Sequence, residues 1–523
     1  MTRPVADEAA AVPSGSERPS SDDVSPDAAG RPWLSWAMVA VSGIVFLAWI
    51  SIAVAHVDDR FGLDQVSGAR IALARYFNEG TLYPELYDGQ TYGGTRFMPL
   101  PIVLHGLIAR LTDDYVVSGK VLGYATTLGL LMTMFALLRR SRCPAPYALI
   151  LTALFLTTFT GLRATMDLRA DVLPLLLQVW AVGIVSSTDR PAGTVAAAAL
   201  AALAFISKLS AVWAPLAIIV WLFARDRRRL AWFSAAYVVM AGGSLLLFAG
   251  ITEGRIFENV FGLATTGITG LRSIVQSPYR FAHLMVENAT TAWAVVPFAA
   301  LAGWLALKER RATIYHLSLL FALAVVLVVL TDIGTGWNQL LDIVVLSALV
   351  IGGLVARIPA VRGSLDRSAA RTVAVMLSFA LLWVTLSGFA VTLVPEVRDA
   401  IDGEPSYRVD PFSGVADPRT TILSEDPYVP ISLGQTPVVL DAFMLLRLGQ
   451  QQPAAIGDLI GRIEAQEFDL VVLVVPLEPL DQPWWNELDF GPDVVRAISE
   501  AYVFAGRTQG YYVYEPRRAS AEA

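Results

Sequence analysis

Cysteine and histidine are almost absent from this sequence, and the two absences exclude several classes of site. The 523 residues contain one cysteine, Cys143, and four histidines. A single cysteine excludes an internal disulfide framework and a cysteine-rich metal site. No two histidines have the spacing of HExxH or HxxxH, which excludes the usual histidine-built metal centres. We therefore predict no metal site of these kinds, and a divalent cation held by carboxylates stays an open alternative.

Charged residues are also scarce, at 16% of the chain, whereas 55% of the residues are hydrophobic. Apolar runs of about 20 residues, the length that crosses a bilayer as a helix, recur along the chain. We predict a polytopic α-helical membrane protein with about eleven spans, surrounded by membrane lipids and without a nucleic-acid partner. The spans are predicted near residues 34–55, 119–138, 145–161, 171–186, 192–207, 209–224, 230–250, 291–307, 315–331, 339–356 and 372–394.

The N-terminal segment differs from the rest of the chain in composition. Residues 1–32 are rich in proline, serine, aspartate and alanine and have no apolar periodicity, which predicts a disordered tail. The first apolar run, residues 33–55, is too long for the core of a signal peptide, so we expect it to be retained as a helix.

Basic residues indicate how the predicted spans are oriented. They gather in four short connections that lie on one side of the membrane in this arrangement: Arg139, Arg140 and Arg142; Arg225 and Arg227 to Arg229; Lys308, Arg310 and Arg311; Arg357, Arg362, Arg367 and Arg371. The positive-inside rule makes that side, with the N-terminal tail, cytoplasmic. We expect a multi-pass protein of the plasma membrane, whose outer face carries loops 56–118 and 251–290, turn 162–170 and the C-terminal portion.

One apolar segment, residues 98–111, is excluded from the count of spans. It has only about 14 residues, which suits an interfacial helix better than a span. Counting it as a span would place the arginine clusters outside the cell, against the positive-inside rule.

The C-terminal portion, residues 395–523, has shorter apolar runs, and its acidic residues outnumber its basic ones. Segments 420–423, 437–440, 470–475 and 511–514 are predicted to be buried strands, and 456–466 and 493–501 amphipathic helices. Alternation of strands and helices predicts a small soluble α/β domain on the extracytoplasmic side.

Three aspartates stand directly after the first span, in the external loop. Asp64 precedes an amphipathic segment and is suited to cap the N-terminus of a helix. Asp58 and Asp59 form an acidic pair, a feature that is usually only solvated. Any of the three is also a candidate general base, which would deprotonate an acceptor during attack on an activated carbon.

Cationic side chains are expected near the same outer face. Lys208 lies between two apolar spans with almost no loop, where an ammonium group can extend to the interface or neutralise a lipid phosphate. Arg163 and Arg169 lie in turn 162–170, and a planar guanidinium suits phosphate oxygens. Asp167 and Asp171 are suited to be their structural partners.

The order of motifs resembles the GT-C-type glycosyltransferases, which use polyprenyl-phosphate sugars and include the protein O-mannosyltransferases and the lipid A aminoarabinose transferases. The similar segments are Asp64 with ALARYFNEGTLY (72–83), FMPLPIVLHGLIARL (97–111), GLRATMDLRADVLPLLLQ (161–178), FISKLSAVWAP (205–215) and TGWNQLLDIVVLSAL (335–349). The family usually carries Asp-Glu or a single Asp as its acidic motif, whereas this chain has Asp58-Asp59 and Asp64-Gln65 in the loop.

The resemblance implies a GT-C-like transmembrane domain over residues 33–394, and an inverting hexosyl- or pentosyltransferase that works on the outer face. It implies a polyprenyl-phosphate sugar as donor and a cell-envelope glycan, lipid or protein as acceptor. The candidate residues are Asp64, Asp59 and Asp58 for catalysis, Lys208, Arg163 and Arg169 for the donor phosphate, and Tyr83, Asp88, Arg96, Asp167, Asp171 and Asn338 for substrate binding. Two alternatives stay open: a lipid or polysaccharide transporter or flippase, and a catalytically inactive envelope-assembly protein.

Overall fold

The computed structural model describes residues 32–61, 63–263, 271–288, 293–332, 334–361, 367–402, 407–414, 416–417 and 419–517. The tail predicted to be disordered lies outside these residues, apart from Pro32. The helices up to residue 402 are α1 (Pro32–Ala55), α2 (Gln65–Asn78), α3 (Pro99–Thr112), α4 (Tyr115–Arg140), α5 (Ala145–Leu156), α6 (Phe159–Met166), α7 (Val172–Val185), α8 (Pro191–Ser207), α9 (Trp213–Arg225), α10 (Arg227–Ile251), α11 (Leu271–Asn288), α12 (Val295–Lys308), α13 (Ile314–Val329), α14 (Leu340–Val361), α15 (Arg367–Gly388) and α16 (Val394–Asp402).

A helix occupies most of every segment predicted to span the membrane. Five helices of the described chain are long and apolar enough to cross a bilayer: Pro32–Ala55, Tyr115–Arg140, Arg227–Ile251, Trp337–Arg357 and Thr372–Asp402. Predicted span 145–161 coincides with two helices that together are long and apolar enough but are bent against each other. The other five predicted spans coincide with shorter apolar helices, below the roughly 20 residues that a straight crossing requires. The protein is therefore a helical membrane protein, and the count of eleven spans stays a prediction.

The membrane helices differ in how deeply they are buried. In the span Trp337–Arg357, which contains most of α14, 78% of the apolar window is buried, so this helix lies at the centre of the bundle. In α10 only 6% of the window is buried, and side chains such as Val239 and Leu246 are exposed. A helix that is apolar yet exposed suits the lipid-facing periphery of the bundle.

The segment predicted as span 145–161 followed by turn 162–170 folds differently. Two helices, α5 and α6, meet at a bend of 68°. Thr158 begins α6, since its hydroxyl accepts a hydrogen bond from the backbone N–H of Gly161 at 2.9 Å. A Cβ at Gly161 would lie 1.9 Å from the carbonyl oxygen of Phe155, so the bend requires glycine here. Most of the predicted turn is thus helical, and only its last residues connect α6 to α7.

The two loops that are predicted to be external also contain helices. In the first loop, α2 and α3 pack against each other, and α3 begins at Pro99, where a missing N–H costs no helical hydrogen bond. In loop 251–290, a π-helical turn, Phe257–Leu263, precedes α11. The 14 residues of α3 agree with the short helix predicted at 98–111.

The C-terminal portion forms a mixed four-stranded sheet with helices, as the alternating pattern predicts. The strands are β1 (Ile422–Ser424), β2 (Leu470–Leu473), β3 (Tyr502–Thr508) and β4 (Tyr511–Pro516), and the helices α17 (Tyr428–Ser432), α18 (Ala442–Gln451), α19 (Pro453–Glu464) and α20 (Pro492–Ala501). The strand order is β1-β2-β4-β3, with β1 and β2 parallel and the other pairs antiparallel. Its position outside the cytoplasm stays a prediction.

One strand prediction for this portion was wrong, and one strand was not predicted. Segment 437–440 is not a strand of the sheet, because its backbone pairs with the first loop instead. The N–H of Tyr92 donates to Val438 at 2.7 Å, and the N–H of Leu440 donates to Tyr92 at 2.9 Å. Strand β3 was not predicted, since it lies at the sheet edge and Val503 and Phe504 are exposed, which weakens the apolar signal.

The C-terminal portion also packs directly against α2. A Cβ at Gly68 would lie 2.0 Å from a carboxylate oxygen of Asp426 and 3.1 Å from the backbone nitrogen of Tyr428. Asp426 is fully buried and accepts hydrogen bonds from the N–H of Tyr428 at 2.9 Å and the hydroxyl of Tyr511 at 2.7 Å. Its carboxylate therefore cannot move aside without losing hydrogen bonds.

We predict that Gly68→Ala lowers the thermal stability of the protein, because the new methyl group overlaps a buried, hydrogen-bonded carboxylate. Overpacking of this kind costs about 1–3 kcal/mol. Gly242→Ala in α10 is the matched control, since nothing lies within 4 Å of its added Cβ. Thermal unfolding in detergent measures both. Equal melting temperatures for the two variants would show that α2 and Asp426 are not in close contact.

Candidate functional site

A cavity of about 730 Å³ lies where α8, α13 and the start of α14 meet α2 and α18. Most of its wall is apolar and includes Val66, Met98, Leu209, Leu216, Phe321, Ala324, Val325 and Val328. A long hydrocarbon chain would find here an apolar environment that removes its surface from water.

Four cationic side chains line the same cavity: Arg70, Arg96, Arg169 and Lys208. They come from α2, from the segment before α3, from the turn between α6 and α7, and from the end of α8. Asp171 and Asp332 are the acidic residues that line it. The cavity thus joins an apolar wall to a surplus of positive charge, a combination that fits an anion with a hydrocarbon tail.

Aromatic rings support three of the four cations. The guanidinium carbon of Arg70 lies 4.4 Å from the ring centre of Phe97, and that of Arg96 lies 4.3 Å from Phe443. The guanidinium of Arg169 lies 4.8 Å from the ring of Trp337. Stacking on an aromatic face orients a guanidinium plane while leaving its N–H groups at the edge.

Lys208 pairs with Asp171, which also accepts a hydrogen bond from Asn338. Helix α8 ends at Ser207, and the Nζ of Lys208 lies 2.9 Å from a carboxylate oxygen of Asp171, the residue before α7. The side-chain amide of Asn338 donates to the same oxygen at 3.0 Å. The structure therefore brings Lys208, Asp171 and Asn338 together from three distant parts of the sequence.

Asp64 caps α2, as its position before the amphipathic segment indicates. One carboxylate oxygen accepts from the backbone N–H of Ser67 at 2.9 Å and from the Ser67 hydroxyl at 2.6 Å. The other lies 2.8 Å from the Nε of Arg169. Asp64 does not itself line the cavity but contacts it through Arg169. The prediction that Asp64 caps a helix is therefore confirmed, and its role as a general base stays a prediction.

The pair Asp58 and Asp59 lies away from the cavity lining. Arg408, from the C-terminal portion, lies 2.9 Å from Asp58 and 3.5 Å from Asp59. Asp59 also lies 2.5 Å from the Nδ1 of His56. Burial opposes its ionisation, but the hydrogen bond with His56 and the charges of Lys120 and Arg408 hold the pKa of Asp59 below its usual value. These contacts suit a structural ion-pair cluster.

Four further candidates also lie outside the lining. Tyr83 is buried, and its hydroxyl donates to the carbonyl oxygen of Phe97 at 2.8 Å, which suits a packing role. Asp88 is exposed and stabilises its own turn by accepting from the N–H groups of Gln90 and Thr91. Arg163 lies 3.5 Å from Glu396 and 4.0 Å from Asp167.

Asp167 is buried near Asp64. Burial and the negative charge of Asp64 raise the pKa of Asp167 to about 7. The loop between α6 and α7 therefore carries a carboxyl group that can hold or release a proton near neutral pH.

Arg70 is a cavity residue that the sequence analysis missed. Its Nε is buried and has no hydrogen-bond partner among the described residues. Burial lowers the pKa of Arg70 to about 10, so the guanidinium keeps its proton at pH 7. Its position in the sequence could have indicated it. Arg70 follows Val66 by four positions and therefore lies on the same face of α2, where a cation interrupts the apolar residues.

A second set of buried acids lies in the C-terminal portion, at Glu425, Asp426 and Asp489. Burial raises the pKa of Glu425 to about 8, although Glu425 accepts hydrogen bonds from the N–H groups of Val474 and Trp484. It also raises the pKa of Asp426 to about 7 and that of Asp489 well above its usual value. Within the described residues, no group of three or more His, Cys, Asp or Glu could hold a metal ion.

The fold is that of the GT-C glycosyltransferases, which confirms the resemblance drawn from the sequence. ArnT from Cupriavidus metallidurans bound to undecaprenyl phosphate matches with a TM-score of 0.58 and 13% identity, over 91% of this chain and 97% of that chain. Its apo state matches with a TM-score of 0.59 and 12% identity over the same shares.

A second kind of protein shares the fold. The apo oligosaccharyltransferase of Archaeoglobus fulgidus matches with a TM-score of 0.52 and 12% identity, over 91% of this chain and 74% of that chain. At identities this low, the similarity establishes the fold alone. No protein-family model and no curated protein sequence matches this chain.

We predict that the buried acids make the protein more stable at pH 6 than at pH 8. The pKa of Glu425, raised from 4.5 to about 8, means that the folded state binds more protons than the unfolded state between these values. Stability is therefore lost as pH rises through this range, by up to about 1.4 kcal/mol per pH unit for each such group. Thermal unfolding at several pH values measures the slope.

Glu425→Gln should flatten the dependence of melting temperature on pH, because glutamine does not titrate. Glu464→Gln, which removes an exposed carboxylate of α19, is the control and should leave the slope unchanged. If Glu425→Gln kept the full slope of the original protein, Glu425 would not be the source of the effect.

Proposed function

We propose that this protein is an integral membrane glycosyltransferase that moves a sugar from a polyprenyl-phosphate donor to a cell-envelope acceptor. The observation that supports the donor class is the cavity, which places four cations at the end of an apolar wall. A polyprenyl phosphate has the matching chemistry, an anionic group attached to a long hydrocarbon chain. ArnT, which shares the fold, has been crystallised bound to undecaprenyl phosphate.

The donor phosphate would bind among Arg70, Arg169 and Lys208. Arg70 is the first partner, because its buried Nε has no hydrogen-bond partner among the described residues. Lys208 and Arg169 are paired with Asp171 and Asp64, so a phosphate would share them with these carboxylates. Charge-assisted hydrogen bonds to phosphate are short and strong, and guanidinium groups can donate two at once.

Asp64 is the proposed general base, and its ion pair suggests how donor binding would activate it. A phosphate that contacts Arg169 competes with Asp64 for the same guanidinium, which leaves a carboxylate oxygen of Asp64 free to accept a proton. Asp64 then takes the proton of the acceptor hydroxyl or amine. The acceptor atom bonds to the anomeric carbon, the bond from this carbon to the phosphate oxygen breaks, and polyprenyl phosphate leaves as an anion. A single displacement of this kind inverts the anomeric centre.

We predict that Asp64→Asn lowers sugar transfer by about 100-fold or more, as is typical for removal of a general base. Asparagine also caps helices, so α2 should stay intact. The assay incubates the purified protein with radiolabelled polyprenyl-phosphate sugars and a cell-envelope lipid extract.

Asp114→Asn is the matched control for this prediction. Asp114 also caps a helix, α4, and also contacts an arginine, Arg60, but it does not line the cavity. Loss of transfer in Asp59→Asn with full activity in Asp64→Asn would move the base to Asp59. No transfer by the unmodified protein from any donor would contradict the enzymatic function itself.

We predict that Arg70→Gln weakens donor binding, because it removes the guanidinium whose buried Nε has no hydrogen-bond partner among the described residues. A hydrogen bond to a charged group contributes about 1.5–3 kcal/mol, so affinity should fall roughly 10- to 150-fold. Equilibrium binding of a polyprenyl phosphate measures the change without turnover.

Arg75→Gln is the control on the same helix, since Arg75 pairs with Glu79 and does not line the cavity. Equal affinities for the Arg70 and Arg75 variants would exclude Arg70 from the phosphate site. An unchanged affinity in Arg70→Gln together with a strong loss in Lys208→Ala would place the phosphate at Lys208 alone.

A further inference from the structure

A second cavity, of about 750 Å³, lies at the other ends of the helices that line the first. Helix α9 contributes Leu216 to the first cavity and Arg225 to the second, and α13 contributes Val328 to the first and Tyr315 to the second. The two cavities therefore lie at opposite ends of the helix bundle. In the orientation predicted from the basic loops, the second cavity faces the cytoplasm.

Five arginines from three connections converge on this cavity: Arg140, Arg225, Arg229, Arg310 and Arg311. Asp189 and Asp226 also line it, so the charged lining carries a net charge of +3. Arginines at the cytoplasmic ends of spans commonly extend separately into water. Here they surround one concave space, which concentrates positive potential inside it.

The two aspartates are already engaged in holding the protein together. Asp226 caps α10 by accepting from the N–H groups of Arg228 and Arg229, each at 3.0 Å. Asp189 lies 2.5 Å from the Nη1 of Arg229, and the buried Arg229 also donates to Thr188 and Thr194. Both aspartates are thus engaged by the protein itself, and among the described residues no carboxylate lies closer than 4.0 Å to the other four arginines.

The other four arginines have N–H groups that could donate hydrogen bonds to a ligand. They are Arg140, Arg225, Arg310 and Arg311. The side chain of Arg310 is exposed and has no hydrogen-bond or ion-pair partner within the part of the chain that the structure describes, and Arg311 reaches Glu309 only at 4.0 Å. Arg140 donates to the carbonyl oxygen of Ser187 at 2.9 Å. Arg225 lies 3.7 Å from the ring centre of Trp221, an arrangement that orients its guanidinium.

The position of the cavity indicates the source of its ligand. It lies at the ends of apolar helices, and tryptophan side chains accompany basic residues there, at Trp221 with Arg225 and at Trp304 with Lys308. Tryptophan at such ends is typical of the depth of lipid headgroups. We propose that this second cavity binds the phosphate of an anionic phospholipid headgroup, on the face of the bundle opposite the first cavity. The proposal does not depend on the transferase function.

Binding of short-chain lipids to the detergent-solubilised full-length protein tests this proposal. Dihexanoyl phosphatidylglycerol should raise the melting temperature with a saturable dependence on concentration, whereas dihexanoyl phosphatidylcholine, which has no net charge, should not. The double variant Arg310→Gln/Arg311→Gln should bind phosphatidylglycerol about 10-fold or more weakly, because it removes charge-assisted donors. Arg310→Lys/Arg311→Lys, which keeps the charge, should recover part of the affinity.

Arg227→Gln/Arg228→Gln is the matched control, since both arginines lie in the same connection as Arg225 but outside the cavity lining. This pair has the same effect on net charge and should leave the affinity unchanged. Lys208→Ala should also leave it unchanged, because Lys208 lines the first cavity. Equal losses in the two double glutamine variants would show that only net charge matters and would overturn the proposal. Binding of inorganic pyrophosphate as tight as that of the lipid would overturn the assignment to a headgroup.

Discussion

The contact between Asp64 and Arg169 is the interaction on which the first cavity depends. It joins the start of α2, in loop 56–118, to the turn between α6 and α7, and Arg169 then stacks on Trp337 before α14. Both side chains are only partly exposed, so water screens their attraction less than that of a surface pair. The pair therefore keeps three distant parts of the chain at one place, and the link from Lys208 to Asp171 and Asn338 adds a fourth.

The cavity combines an apolar wall with cationic side chains, two features that are hard to place side by side. A hydrocarbon chain needs an apolar wall, whereas a phosphate needs cations, and cations next to an apolar wall are costly unless they have partners. Most of the cations here have carboxylate partners, and three rest on aromatic rings. Arg70 is the exception, since an aromatic ring supports it while its buried Nε has no hydrogen-bond partner in the described part of the chain. An anionic ligand would supply the contact that the protein itself leaves out.

The sequence predicted the helices, the mixed C-terminal fold and the family resemblance, because apolar periodicity and motif order are local signals. It also placed Lys208, Asp171, Asn338 and Arg169 among the candidates, and the structure brings them together. It could not separate Asp64 from Asp58 and Asp59, since only the folded chain shows that Arg408 and His56 engage that pair. Phe443 and the pairing of segment 437–440 with Tyr92 were missed, because they depend on contacts across more than 300 residues. Arg70 was missed although its place on the apolar face of α2 is a local signal.

Phe443 lines the cavity, so the cavity can be completed only late in the synthesis of the chain. Phe443 supports Arg96 from a position far beyond the last membrane helix, and Asp426 must fit against Gly68 on α2. Both contacts require residues that a ribosome makes after all the predicted spans. Insertion into the bilayer and formation of the cavity are thus separate steps, and the membrane bundle exists for a time with its polar site unsealed. The part of the cavity wall that Phe443 supplies is therefore the last part of the site to be synthesised.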